Sequence, residues 1–284
     1  MDPLLAAALE HLGAADTPRP LTPHHTTAWR TDHHRIKTAT TPAAVTALHH
    51  EIHALTLLRE AGLTHLTATH GHLGDGVWTA VSWRPGITLW AWCAPARAQG
   101  ADPTYARRLR EIARDAFTTL GTWHAAGWRH GDIHPDNILV TPDEGAVEFI
   151  DCDRAHHREL LPLPGPYRGG GDQGTAPEIA RRLLDTDPAV HVELTAAAET
   201  YSLAAAIRWA WTGVTPATDR FAGPHASAAD VLEDIATGRR RIPLADARPW
   251  ADPDLEAVIE EAMNLEPAER ATAGALAAFG ATRA

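Results

Sequence analysis

The stretch His-Gly-Asp-Ile-His-Pro-Asp-Asn, residues 130–137, constrains this chain more than any other. It separates two patterns that cannot belong to one element. Before it, Ala106, Leu109, Ile112, Ala113, Phe117, Leu120 and Trp123 recur at i, i+3, i+4 spacing, which predicts a long helix over Tyr105 to Ala126. Gly127 suits the helix C-cap. After it, Ile138, Leu139 and Val140 read as a short strand. The stretch is therefore a loop pinned at both ends and stiffened by Pro135. It holds a carboxylate, Asp132, and a carboxamide, Asn137, five positions apart.

With 284 residues the chain can build one or two domains around a sizeable core. A formal charge of -11 argues against a broad nucleic-acid surface. The start, Met-Asp-Pro-Leu-Leu, has no basic segment, so no secretory signal is expected. No uncharged apolar run reaches membrane-spanning length; even Thr195–Val214 carries Glu199 and Arg208. Cys93 and Cys152 are the two cysteines and form no CxxC, which predicts a reducing, cytoplasmic setting. Of the 25 basic residues only Lys37 is lysine; the rest are arginine. A single lysine in such a background is informative where a compact ammonium fits and a planar guanidinium does not.

In chain order, residues 2–15 predict a short helix, and Pro18, Pro20 and Pro23 then break helical periodicity. Thr26–Arg30 and His33–Thr38 predict strands joined by a turn at Thr31-Asp32. Pro42 to Ala61 predicts a helix with Val45, Leu48, Ile52, Leu55 and Leu58 on one face. Within it, Glu51 lies fourteen residues after Lys37, a carboxylate partner for that lysine. His49 and His53 are at i, i+4, but no further ligands follow at zinc spacing. Thr67–His72 and Val77–Trp83 predict a hairpin across Gly74-Asp75. Beyond the loop, Val147 to Ile150 predicts a strand that delivers Asp151-Cys152-Asp153. A Pro/Gly-rich segment, 154–173, leads to Gly174-Thr175-Ala176-Pro177-Glu178; an apolar helix ending near Trp211 and two amphipathic helices, Ser227–Thr237 and Pro253–Met263, follow, and Ala271–Phe279 closes the chain.

These motifs, in this order, resemble the protein-kinase superfamily over roughly residues 20–280. The loop resembles H-R-D-x-x-x-x-N, with Gly131 in place of Arg, a spelling closer to aminoglycoside- and choline-type kinases. Lys37 resembles the strand lysine, Glu51 the C-helix glutamate and Asp151 the aspartate of D-F-G, with Cys152 and Asp153 replacing Phe and Gly. Ala176-Pro177-Glu178 and Arg270 resemble a structural pair of protein kinases, and Glu199 stands where an aspartate caps the loop.

The resemblance implies an α+β, bilobal fold: a small, mostly antiparallel N-lobe with its C-helix over 1–83 and a helical C-lobe over 84–284, one kinase domain overall. It implies an ATP- and Mg2+-dependent transfer of a γ-phosphoryl group to a hydroxyl. Asp132 would be the base, with Lys37, Asn137 and His134 completing the catalytic set. Lys37, Glu51, Thr26, Thr27 and the backbone of Ser82, Trp83 and Arg84 would bind the nucleotide. Asn137, Asp151 and Asp153 would hold the metal. The glycine-rich phosphate loop is replaced by Pro23-His24-His25-Thr26-Thr27. The protein-kinase-like second half favours a Ser/Thr protein or peptide acceptor, whereas Gly131, His134 and Asp153 favour a small-molecule acceptor, antibiotic or metabolite. A pseudokinase that binds a partner without catalysis is the third reading, favoured by the missing glycine loop. Neither a nucleic acid nor a membrane is an expected partner.

Overall fold

Five short strands build one antiparallel sheet. They are β1 (Arg19–Leu21), β2 (Thr27–Arg30), β3 (His34–Ala39), β4 (Ala68–Leu73) and β5 (Gly76–Ser82), in the spatial order β1-β2-β3-β5-β4. The structure is a computed structural model that describes residues 1–15, 17–21, 27–100, 102–142, 146–170, 174–216, 227–238 and 241–279. Gly74 and Asp75 join β4 to β5, with Leu73 paired to Gly76 and Gly74 at φ +59°.

Side-chain alternation assigns the two faces of this sheet. Ile36, Trp78 and Ala80 point to one face and pack under helix α1 (Pro3–Leu12), against Leu4, Leu5 and Ala8. Ala39 and Val77 point to the other face and pack against Leu48 of helix α2 (Pro42–Glu60). Thr41 caps α2 by accepting from the amide of Ala44, and Pro42 fills its first turn, where no amide partner is needed. Arg35 and Lys37 fall on the α2 face by the same two-residue period.

The first compact unit comprises Met1–Pro85 together with Asp151–Pro164. The second segment is held there by α2. His50 is buried and its Nε2 lies 2.8 Å from the Ala155 carbonyl, while Cys152 is wholly buried in the 3-10 turn Cys152–Arg154.

The second unit, Gly86–Ile150 with Gly165–Ala284, is mostly helical. Its first four helices are α3 (Leu89–Gln99), α4 (Pro103–Ala125), α5 (Pro177–Asp185) and α6 (Ala196–Thr212). α4 buries Leu109, Ile112, Ala113, Ala116, Phe117, Leu120 and Trp123, the stripe that its periodicity predicts. α6 is buried nearly all round, which its alanine-rich sequence permits because small side chains let neighbours approach closely. Ile87–Thr88 (β6), Ile138–Val140 (β8) and Val147–Phe149 (β9) form a small antiparallel sheet beside the loop; Trp128–Arg129 is β7. Gly86 enters this sheet at φ +154°, where a Cβ would lie 2.7 Å from the Val140 carbonyl. Helices α7 (Ala228–Thr237), α8 (Leu244–Ala247), α9 (Pro253–Ala262) and α10 (Ala273–Leu276) complete the unit.

Candidate active site

Within the first unit four charged side chains close into a ring. Lys37 Nζ lies 3.0 Å from Glu51 Oε2 and 2.7 Å from Asp151 Oδ1. Arg35 reaches the same two carboxylates: Nη2 is 2.7 Å from Glu51 Oε1, and Nη1 is 3.1 Å from Asp151 Oδ2. Glu51 is wholly buried and Lys37 nearly so. Burial disfavours each charge, yet opposite charges at contact outweigh it. The Lys37 ammonium is held above its ordinary value, against burial and the repulsion of Arg35, by Glu51 and Asp151. The Asp151 carboxyl is held well below the usual carboxylate range, against burial, by Arg35 and Lys37. It is therefore an ionised hard-oxygen donor at any physiological pH.

Asp151 has φ +63°, and among the described residues it is the one non-glycine residue in the left-handed region. Aspartate tolerates that conformation better than most residues, and the turn aims its carboxylate at β3. Asp153 is half-buried and its charge helps hold Lys37 protonated.

The second unit carries the loop. His130 is wholly buried; its Nε2 lies 3.0 Å from the Ile150 carbonyl and its Nδ1 accepts from the Asp132 amide at 3.2 Å. That pair of partners sets the tautomer, with the proton on Nε2, and makes His130 a brace for the backbone of Asp132. Gly131 sits at φ +83°, a conformation that favours glycine over the arginine found there in protein kinases. Its amide donates to Glu199 Oε1 at 2.7 Å, and its carbonyl accepts from the Tyr167 hydroxyl at 3.0 Å. Glu199 reaches His124 Nε2 with its other oxygen at 2.9 Å. Burial opposes its charge, but His124 and the Gly131 amide hold the carboxyl below its ordinary value. The longer glutamate thus performs the capping expected of a shorter aspartate.

Asn137 Nδ2 donates to the Asp132 carbonyl at 2.9 Å and approaches Asp132 Oδ2 at 3.4 Å. With its nitrogen so committed, the carboxamide leaves its oxygen as an acceptor. His134 caps the 3-10 turn Pro135–Asn137 by accepting from the Asp136 amide on Nδ1. Its proton is accordingly on Nε2, which lies 3.9 Å from Asp132 Oδ2. Asp136 is exposed and accepts from the Thr88 hydroxyl.

The structure brings the named residues into two groups: Lys37, Glu51, Asp151 and Asp153 in one unit, and Asp132, His134 and Asn137 in the other. Of the phosphate-loop residues, Thr27 is exposed at the start of β2, and Thr26 lies outside the described residues. Ser82 N–H donates to the Thr67 carbonyl and Trp83 N–H to the His33 carbonyl, at 2.8 and 2.6 Å. Sheet pairing thus continues through both amides. Arg84, next in the chain, is partly buried.

Three contributors went unread in the sequence. Arg35 stands two residues before Lys37, and on a strand that spacing places both on one face; this signal was available. Tyr167 and Gly170 carried no local signal. A Cβ at Gly170 would lie 2.6 Å from Asp132 Oδ1, so a glycine is required where that segment passes the carboxylate. Among the described residues no three His, Cys, Asp or Glu side chains converge as a metal cluster. A magnesium site does not need one, because water, an amide oxygen and phosphate oxygens supply most of its ligands.

An antiparallel sheet with a lysine–glutamate pair to its helix, and an Asp132–Asn137 loop in a helical unit, are features that the chain shares with kinases of the protein-kinase-like superfamily. The family model described as Lipopolysaccharide kinase (Kdo/WaaP) family matches residues 30–161, a span that takes in Arg35, Lys37, Glu51, Asp132, Asn137 and Asp151. No curated protein matches the sequence. Among the described residues no helix is long and apolar enough to cross a membrane.

Proposed function

We propose that this chain transfers the γ-phosphoryl group of ATP to a hydroxyl of a small, sugar-type acceptor. The observation that carries the reading is the Asp132 carboxylate, braced by His130 and Asn137 with His134 Nε2–H beside it. Such a carboxylate can accept the proton of an attacking hydroxyl. Lys37, positioned by Glu51, binds the phosphates. His134 supplies a donor for charge that develops near Asp132.

Magnesium, when bound, neutralises charge on the phosphate oxygens. Asp151, with Asp153 as a further carboxylate, is the donor suited to it, and the resemblance adds the Asn137 carboxamide; oxygens of this kind fit a hard cation. We place the activity in the cytoplasm, consistent with two buried, unpaired cysteines.

A sugar-type acceptor is favoured over a Ser/Thr peptide by the lipopolysaccharide-kinase family match and by the segment around Gly170. That segment passes directly against Asp132, with Tyr167 tied to Gly131, which narrows the approach for a bulky chain. The peptide reading rests on the Glu178–Arg270 pair, which a protein-kinase C-lobe also uses; here Arg270 Nη1 and Nη2 lie 2.6 and 2.7 Å from the two Glu178 oxygens.

The test is incubation with γ-labelled ATP, Mg2+ and two acceptor pools, one of sugars and aminoglycosides and one of Ser/Thr peptides, followed by mass analysis. Label in the sugar pool that disappears with Asp132→Ala is the expected result. Label confined to peptides overturns the acceptor class, and no transfer to either pool overturns the function.

A further inference from the structure

A single lysine–glutamate pair would leave Asp151 as an uncompensated carboxylate, ready for a metal. Here it is already compensated. Asp151 Oδ2 is 3.1 Å from Arg35 Nη1, and Oδ1 is 3.2 Å from Arg35 Nη2 and 2.7 Å from Lys37 Nζ. Both oxygens are taken by protein cations, and the guanidinium meets the carboxylate through two nitrogens, its most directional mode. Arg35 and Lys37 bear two positive charges and Glu51 and Asp151 two negative ones, so the ring is neutral before any ligand arrives.

Strand geometry builds the arrangement in. Residues 35 and 37 share the α2 face of β3, whereas Ile36 is buried in the α1 core on the other face. Lys37 is hydrogen-bonded to both carboxylates and is nearly enclosed. The Arg35 and Asp151 side chains keep 17% and 32% of their exposure, so this is the edge of the ring that an incoming anion can reach.

We infer that Arg35 is a second phosphate-binding cation that occupies Asp151 in place of a metal ion and lets this site bind a nucleotide without one. The inference rests on the nucleotide reading above. Arg35 carries the positive charge that a divalent ion otherwise brings to Asp151, and its fork matches phosphate oxygens as well as carboxylate oxygens. Magnesium must compete with the guanidinium for Asp151, so its contribution to nucleotide affinity is small, and its role is confined to the transfer step.

The experiment is calorimetric titration of the full chain with a non-hydrolysable ATP analogue, once in EDTA and once in excess Mg2+. The ratio of the two dissociation constants is the readout. The wild-type ratio is expected within about tenfold, and Arg35→Gln is expected to raise it to about a hundredfold or more by weakening the EDTA arm. An Arg35→Gln ratio equal to the wild-type one overturns the inference, as does wild-type binding that requires Mg2+. Both outcomes leave phosphoryl transfer standing. Absence of binding in either arm sinks the nucleotide reading itself, and this inference with it. If Arg35→Gln fails to fold, Arg35→Lys decides the matter. It keeps the charge but not the two-nitrogen contact, so the ratio is expected to rise about threefold, and an unchanged ratio overturns the inference.

Discussion

The two charged centres of this molecule are built on opposite plans. In the first unit, charges are satisfied by charges: Arg35, Lys37, Glu51 and Asp151 form a closed ring with Glu51 wholly buried. In the second, Asp132 is held by hydrogen bonds without an ion pair to arginine or lysine among the described residues: its amide donates to His130 Nδ1, and its carbonyl accepts from Asn137 Nδ2. The difference follows from what each centre must do. A phosphate site needs fixed positive charge, which carboxylates keep in place between ligands. A base must stay able to take a proton, and a contacting cation would lower its basicity. One centre is thus built for electrostatic rigidity and the other for exchangeable protons.

Asp132→Asn tests that division most severely. It is expected to lower kcat about a thousandfold while leaving ATP affinity within about twofold, because it removes only the base. A parallel loss of ATP affinity, measured by calorimetry, would show that the two centres do not act separately. Next in size, Glu51→Ala removes one carboxylate from the ring and leaves two cations on Asp151. Urea unfolding should show a loss of about 3 kcal/mol, as expected for breaking a buried ion pair from one side. A loss under about 1 kcal/mol would mean the ring contributes little to folding.

Glu199→Gln carries the comparison into the loop's own support. At neutral pH it should destabilise by about 2 kcal/mol, since charge-assisted bonds to His124 and the Gly131 amide become neutral ones. The Glu199 carboxyl is depressed in the folded protein, so its stabilisation is present above the ordinary carboxylate value and is lost as pH falls through the depressed one. The gap between wild type and variant should therefore be constant near neutrality and shrink below about pH 4, measured by thermal melts across pH. A gap that grows on acidification would reverse the assignment.

The smallest effect is expected for His134→Asn. Asparagine keeps the cap on the Asp136 amide but loses the Nε2–H beside Asp132. A fall in kcat of about tenfold with stability within about 0.5 kcal/mol is expected from steady-state kinetics and melts. Unchanged kcat would reduce His134 to its capping role.

Much of the frame was legible before any coordinates. Turn signals placed β2 to β5, and 3.6-residue patterns placed α2 and α4, because those helices bury one face and their sequences say which. Lys37 stood out as the lone lysine, and Glu51 by its distance along the chain. The Glu178–Arg270 pair, ninety-two residues apart, was legible only through the resemblance.

Arg35 went unread as one arginine among many in a chain that uses almost no lysine, although its two-residue spacing from Lys37 was legible. The commitment of the Ser82 and Trp83 amides was not legible, since backbone pairing depends on how far a sheet extends rather than on side chains.

What the sequence alone determined is the inventory and its local geometry: a helix–loop–strand that presents Asp132 and Asn137, and a strand that puts residues 35 and 37 on one face. Those follow from backbone periods that hold wherever the segment sits. What only the tertiary structure decided is the company each charge keeps. Asp151 meets Arg35 at a separation of 116 residues, and Gly170 passes against Asp132 across a long loop. Electrostatic and steric energies depend on distance through space, and at those separations the chain itself sets no distance.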